Sequence, residues 1–173
     1  SISPEQAQDY WSNSEWLRRI DTGRCTIHEL AAGVLDDLKL QAQPEEFIRH
    51  IAALNRGLMP GALSLLESLK DRYLLGCFSN NNEFHWRQLC EEADLESIFQ
   101  RRYLSFQIGL RKPDPTSFEY VTADLAVPPA RILYFDDRED CVTVGRSCGW
   151  DAHQARGVDE VRRILVSLGI STP

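Results

Sequence analysis

The chain has 173 residues and a formal net charge of −7, with 43% hydrophobic and 26% charged residues. This length fits one domain, or one domain with a small insertion, and the composition is typical of a globular protein. The negative charge disfavours non-specific binding to nucleic acid or to an anionic membrane. No apolar run approaches the roughly 20 residues that cross a bilayer, and the polar start SISPEQAQDYW does not have the order of a signal peptide.

The cysteines are odd in number and show no C-x-x-C spacing. This usage favours a reducing compartment, so we expect a cytoplasmic protein, and it argues against a zinc site. The five residues are Cys25, Cys77, Cys90, Cys141 and Cys148.

The first third of the chain has only helical patterns. A first helix is predicted to begin at Pro4 and to be broken at Asp21, and a second begins with the capping box of Thr26 and Glu29. Pro44 begins a third amphipathic segment. Three amphipathic helices without a strand predict a small helical module over residues 1–58.

From Met59 onward, helices alternate with short apolar runs, which predicts an α/β fold with a parallel sheet flanked by helices over residues 59–173. A helix opens at Pro60, and Asp114 caps another that begins at Pro115. The predicted strands cover residues 73–78, 103–106, 132–135 and 150–155.

The run Ile132–Phe135 is the best-defined of these strands, and it ends in two carboxylates, Asp136 and Asp137. Ligands of open α/β sheets lie just beyond the carboxyl ends of the strands. Adjacent like charges are costly without a cation, so a divalent metal is one explanation for the pair. The alternative is that the two acids only cap the helix that follows.

Polar groups follow other strands in the same way. Ser79 and Asn80 follow the predicted strand 73–78, and Lys112 lies in a loop between two elements. A hydroxyl, an amide and a lysine can bind phosphoryl oxygens, and the acids can hold Mg²⁺. Together these groups predict a phosphoryl-transfer site that lacks a nucleophile.

These motifs resemble those of the haloacid dehalogenase superfamily, from about Gly23 to the C-terminus. The resemblance is strongest to the subgroup of sugar-phosphate phosphatases and the N-terminal phosphatase domains of epoxide hydrolases. Three stretches carry it: Phe78-Ser79-Asn80, the G-x-x-K-P-x-P run of residues 109–115, and Tyr134-Phe135-Asp136-Asp137.

The resemblance implies a Rossmann-like core, with residues 1–58 as a helical cap, and a small phosphorylated substrate. It implies that Ser79 and Asn80 bind phosphate and that Lys112 orients the phosphate and the nucleophile. It also implies that Asp137 binds Mg²⁺, with Asp136 beside it.

The chain departs from the family pattern in two places. Four residues after Asp137, where this subgroup usually has Asn or Asp, stands Cys141, a poor ligand for Mg²⁺. The family's first motif, an apolar strand that ends in D-x-D with the nucleophile, is missing. Neither Asp21, which two arginines precede, nor Asp36-Asp37 within a helix follows the apolar run that a central strand requires.

Three interpretations follow. In the first, the chain is part of a Mg²⁺-dependent phosphatase whose first strand comes from an upstream segment or a second chain. In the second, it is a non-catalytic binding domain, such as one part of a multidomain protein. In the third, it is a dehalogenase. The dehalogenase interpretation leaves the acid pair unexplained, because those enzymes need no metal. In the resembled fold the missing strand lies between strands 73–78 and 132–135, so we expect two unpaired apolar edges there and no phosphatase activity from residues 1–173 alone.

Overall fold

A computed structural model of the protein describes residues 3–171, which form eleven α-helices, a short 3-10 helix and four strands. The helices, in chain order, are α1 (Pro4–Asn13), α2 (Glu15–Asp21), α3 (Ile27–Asp37), α4 (Pro44–Ala52), α5 (Ala62–Leu69), α6 (Glu83–Glu92), α7 (Leu95–Ile98), α8 (Ser105–Ile108), α9 (Pro115–Leu125), α10 (Glu139–Ser147) and α11 (Val158–Ser167). The strands are β1 (Gly76–Ser79), β2 (Arg101–Leu104), β3 (Leu133–Asp136) and β4 (Asp151–Gln154), with the 3-10 helix (Pro129–Arg131) just before β3.

Before residue 58 the regular elements that the structure describes are the helices α1 to α4, with turns and loops between them. The capping box at the start of α3 is present, because Glu29 N donates to the Thr26 hydroxyl and Thr26 N donates to the Glu29 carboxylate. The single helix predicted up to Asp21 is instead two helices. Ser14 separates them with an extended backbone, in a Ser-Asn-Ser run whose side chains favour caps over helix interiors.

The strands form two parallel pairs. β1 pairs with β2 over the register Gly76↔Arg101 to Ser79↔Leu104, and β3 pairs with β4 over Leu133↔Asp151 to Asp136↔Gln154. Within residues 3–171 no ladder joins β1 to β3. The parallel α/β architecture predicted from the alternating pattern is therefore confirmed.

One edge of β1 and one edge of β3 are turned away from their partner strands. In a parallel sheet, the main-chain N–H and C=O of every second residue bond to the strand on one side, and those of the residues between face the other side. The bond from Arg101 N to Leu75 O sets this alternation in the first pair, so that the main chain of Phe78 faces away from β2. The same alternation turns Phe135 away from β4.

Aromatic side chains pack the two strand pairs together. The Phe78 ring of β1 lies 6.1 Å from the Tyr134 ring of β3, and both contact Phe118 of α9, at 5.1 Å and 5.8 Å between ring centroids. Trp150 completes the cluster, and its indole N–H donates to Thr122 at 2.9 Å. Side chains, rather than a continuous ladder, therefore hold β1 and β3 in one core.

Most differences from the predicted elements concern their ends. The first strand covers Gly76–Ser79 rather than residues 73–78, and the second covers Arg101–Leu104 rather than residues 103–106. The helix expected from Pro60 begins at Ala62, after Gly61 in the left-handed region. No helix in the described part of the chain is both long and apolar enough to span a membrane. The boundary between a cap and a core at residue 58 stays a prediction.

Candidate functional site

The predicted site residues converge where β1 and β3 end. Ser79 is the last residue of β1 and Asp136 the last residue of β3. Lys112 reaches both strands from the loop between α8 and α9, which starts at Gly109 with φ of 71° and ends at Asp114, the N-cap of α9. Three separate parts of the chain therefore contribute to one cluster.

The Lys112 ammonium is buried between the two strands. Its Nζ donates to Phe78 O at 2.8 Å and to Asp136 Oδ2 at 2.6 Å. It also lies 5.0 Å and 5.4 Å from the ring centroids of Phe78 and Tyr134. The side chains of Lys112 and Asp136 are only 9% and 6% exposed, so water screens this ion pair weakly. The carbonyl that Lys112 binds is the one on the unpaired edge of β1.

Asp136 uses both of its carboxylate oxygens. Oδ2 accepts from Lys112 and from the Tyr134 hydroxyl, and Oδ1 accepts from Arg138 N at 2.9 Å. Burial alone would raise the pKa of Asp136, but these hydrogen bonds and the Lys112 charge hold it below its ordinary value. Asp136 is therefore an ionised partner of Lys112 rather than a free metal ligand.

Asp137 is the exposed member of the acid pair. Gln154 Nε2 donates to its main-chain oxygen at 2.8 Å, which fixes the backbone there. Within residues 3–171 its carboxylate forms no hydrogen bond or ion pair, so a hard-oxygen ligand is available. The Asp137 carboxylate suits Mg²⁺, which proteins commonly bind through one or two carboxylates together with water and phosphate.

The described residues do not by themselves make a complete metal site. No group of three His, Cys, Asp or Glu side chains suited to a metal occurs among them. Cys141 is 1% exposed, and burial raises the pKa of its thiol to about 11, so the thiol stays protonated. Asp137 is thus the available protein ligand in this cluster.

The side chains of Ser79 and Asn80 differ in how free they are to bind a ligand. Among the described residues, the Ser79 hydroxyl has a single long contact, of 3.5 Å to Asn80 O. The Asn80 side chain instead bonds twice to the main chain of Lys112, with Nδ2 to Lys112 O at 2.7 Å and Oδ1 from Lys112 N at 2.8 Å. Direct contacts thus join Asn80, Lys112 and Asp136, with Ser79 and Asp137 next to them in sequence at the strand ends. The Asn80 carboxamide is turned toward the lysine loop.

The helical segment reaches this site through contacts that the sequence did not predict. Asp21, at the end of α2, pairs with Arg111 at 3.0 Å, one residue before Lys112. Burial raises the pKa of Asp21, although the positive charge of Arg111 acts to lower it. His85 Nε2 lies 3.0 Å from Ile51 O, the main-chain oxygen of a residue in α4.

The sequence pattern also does not predict the hydrogen bond from Tyr134 to Asp136, because Tyr134 reads only as an apolar strand residue. Strand residues two apart lie on one face, so its spacing from Asp136 could have revealed the contact.

A cleft of 560 Å³ lies between the loop after α2 and the start of α6. Its wall includes Gly23 and Thr26 on one side and Phe84 and Arg87 on the other. Gly23 approaches the core closely, because a Cβ there would lie 2.3 Å from Phe106 O.

Comparison with known proteins agrees with this architecture. A family model described as haloacid dehalogenase-like hydrolase matches residues 4–149. A D-ribitol-5-phosphate phosphatase of Bacteroides thetaiotaomicron is 28% identical over 113 residues, which are 61% of this chain and 55% of that protein. The drimenol cyclase drtB of Aspergillus calidoustus is 33% identical over 90 residues, 52% of this chain and 17% of the cyclase. The chain thus spans about half of one relative and under a fifth of the other.

A solved structure shares the fold. The HAD family enzyme bt-2542 of Bacteroides thetaiotaomicron, crystallised with magnesium and inorganic phosphate, superposes with a TM-score of 0.78 and 22% sequence identity. The match covers 88% of this chain and 80% of that one.

Proposed function

Because the chain belongs to the haloacid dehalogenase-like hydrolase family, we propose that it carries part of the active site of a Mg²⁺-dependent phosphatase for a small phosphate monoester. The observation that carries the proposal is the buried Lys112 ammonium, held against Asp136 at the strand ends and next in sequence to the exposed Asp137. The phosphatase among the relatives, and the magnesium and phosphate in the related crystal structure, support this choice.

The proposed roles follow from which donors remain available. An ammonium has three N–H groups, and Lys112 spends two of them on Phe78 O and Asp136. The third donates to a phosphoryl oxygen or to the attacking carboxylate. The Ser79 hydroxyl and the main-chain N–H groups that follow β1 donate hydrogen bonds to the other phosphoryl oxygens. These donors stabilise the negative charge that is shared over the oxygens during transfer.

Asp137 would hold Mg²⁺, with the substrate phosphate and water as further ligands. When bound, the metal supplies positive charge to the phosphoryl oxygens. The lysine and the metal together would let a chain with a net charge of −7 bind an anionic substrate.

The nucleophile is proposed to come from a strand that enters between β1 and β3. Asp136 is not assigned this role, because it is the buried partner of Lys112 and also accepts from Tyr134 and Arg138 N. An apolar strand that ends in D-x-D, from an upstream segment or a second chain, would pair with both free edges. Its first aspartate would attack phosphorus and release the alcohol, which takes a proton from the second. Water would then hydrolyse the aspartyl-phosphate.

A second candidate function is a non-catalytic domain of a larger protein. The observation that favours it is the similarity to a cyclase of which the matched region is only 17%. In that case the strand ends would bind a phosphorylated ligand without turning it over.

The test is phosphate release from para-nitrophenyl phosphate with Mg²⁺, measured for residues 1–173 alone and for the same residues joined to whatever sequence is encoded upstream. We expect activity only in the joined protein. Lys112→Met and Asp137→Asn should abolish it, whereas Lys39→Met should not, because Lys39 is an exposed lysine paired only with Asp36.

Different outcomes separate the candidates. Activity of residues 1–173 alone that is lost in Asp137→Asn would refute the need for an added strand and point to a nucleophile among Asp21, Asp36 and Asp37. No turnover in either protein, together with Mg²⁺-dependent phosphate binding detected by ³¹P NMR, would favour the binding domain. For residues 1–173 alone we expect Mg²⁺ affinity no tighter than about millimolar, as in extracellular Ca²⁺ modules with few charged ligands.

A further inference from the structure

The geometry points to Asn80 and Tyr134 as positioning residues that fix the two ends of Lys112, so that Asn80 acts on the lysine loop rather than on phosphate. The inference deepens the proposed function and rests on it for its catalytic meaning. Its structural content is independent of turnover and is tested separately.

The main-chain end of Lys112 is held by Asn80. The two residues are 32 positions apart, yet the Asn80 carboxamide bonds both the N–H and the C=O of Lys112, at 2.8 Å and 2.7 Å. A carboxamide places one acceptor and one donor side by side, which matches the two groups of a single residue. Aspartate could only accept and alanine could do neither. This contact therefore engages both the nitrogen and the oxygen of the Asn80 carboxamide, which only asparagine or glutamine could provide.

The ammonium end is held by Asp136, which Tyr134 orients in turn. The Tyr134 hydroxyl donates to the same Oδ2 that accepts from Lys112. Tyr134 is 7% exposed, and its ring packs 5.4 Å from Trp150, so the hydroxyl cannot swing away. Burial raises the pKa of Tyr134, which keeps the phenol protonated and able to donate.

Both constraints matter because lysine is long and flexible. A free lysine side chain loses much of its rotamer freedom when it is fixed. A misplacement of about 1 Å can cost a catalytic group a factor of about 100. With its main chain and its ammonium both fixed before substrate arrives, Lys112 directs its remaining N–H into the site at no further entropic cost.

The first test uses NMR on the full chain. Asn80→Ala removes the acceptor for the Lys112 amide, so the exchange rate of that amide with solvent should rise about tenfold, the equivalent of one net hydrogen bond. Asn81→Ala is the matched control, since its side chain bonds only within its own loop, to Asn82 N. It should leave the Lys112 amide unchanged.

The role of Tyr134 is tested with the same NMR measurements. Tyr134→Phe should shift the ε-methylene resonance of Lys112 without changing its amide exchange. Tyr103→Phe removes another buried hydroxyl, which bonds to Asp124 instead, and should shift neither. An unchanged Lys112 amide in Asn80→Ala, or an unchanged ε-methylene in Tyr134→Phe, overturns the inference. If Asn80→Ala does not fold, Asn80→Asp decides: the Lys112 carbonyl ¹³C resonance must move, because its donor is lost.

The catalytic meaning is tested in the protein that turns over. Positioning predicts that Asn80→Ala lowers kcat at least tenfold and leaves inhibition by orthophosphate within about twofold. A direct phosphate contact predicts that the inhibition constant for orthophosphate rises with the fall in rate. If no protein turns over, the proposed function fails, and the NMR result still decides whether Asn80 and Tyr134 hold Lys112.

Discussion

The ion pair of Lys112 and Asp136 should be strongly coupled, and a double-mutant cycle can measure this coupling. The pair is almost fully buried, with side chains 9% and 6% exposed. Removing one partner of such a pair leaves a buried charge and costs about 3–5 kcal/mol. Lys112→Met should cost about 3 kcal/mol, near the low end, because Asp136 keeps the bonds from Tyr134 and Arg138 N.

The reverse substitution should cost a similar amount. Asp136→Asn leaves the ammonium with Phe78 O and two aromatic rings, so we again expect about 3 kcal/mol. The double variant has no uncompensated charge. Its cost should therefore be about 3–4 kcal/mol rather than the additive 6, which gives a coupling of about 2–3 kcal/mol.

The assay is equilibrium urea unfolding followed by tryptophan fluorescence, with an exposed pair as control. Lys39 and Asp36 are paired at 3.0 Å but are 78% and 80% exposed, so their coupling should stay below about 0.5 kcal/mol. A coupling in the Lys112 cycle as small as that of the control would refute the view that the strand ends are built around this pair.

Three further predictions concern the N-terminal helical segment and the pH dependence of stability. Gly23→Ala should destabilise the chain by at least 2 kcal/mol, a large single-site effect, because φ is +69° and the new Cβ would lie 2.3 Å from Phe106 O; an unchanged urea midpoint would contradict this contact. Thr26→Ala should cost about 1 kcal/mol through loss of the capping box with Glu29, with helicity from circular dichroism as the measure. The folded-state pKa of Asp136 lies below its unfolded value of about 3.9, so its contribution to the free energy of unfolding is present above that pH and is lost as pH falls. Asp136→Asn should therefore make stability depend less on pH in the acid range. An unchanged pH dependence would exclude Asp136 as its source.

Local rules predicted most of the elements. The capping box at Thr26 and the Asp114 cap before Pro115 were predicted, because each depends on residues only two or three positions apart. Strand ends were less accurate, since apolar residues such as Tyr73 and Leu74 extend the pattern before β1 although they lie outside the ladder. Hydrophobicity does not determine where the pairing begins.

The sequence motifs name the residues of the candidate site but not the contacts among them. Motif spacing brought together Lys112, Asp136 and Asp137, because parallel strands deliver their loops to one edge. The bonds of Asn80 to Lys112 and of Asp21 to Arg111 join residues 32 and 90 positions apart. Such contacts depend on how loops pack, and neither periodicity nor propensity contains that information.

The aromatic cluster has a consequence for motion. Phe118 is 0% exposed, and the rings of Phe78 and Tyr134 meet it nearly edge-on, at interplanar angles of 82° and 89°. A ring enclosed in this way can rotate by 180° only when its neighbours move apart. Those neighbours belong to β1 and β3, so each flip of Phe118 requires small outward movements of Phe78 and Tyr134, where the two strand pairs meet. The flip rate of Phe118 therefore reports how often the packing between the two strand pairs loosens.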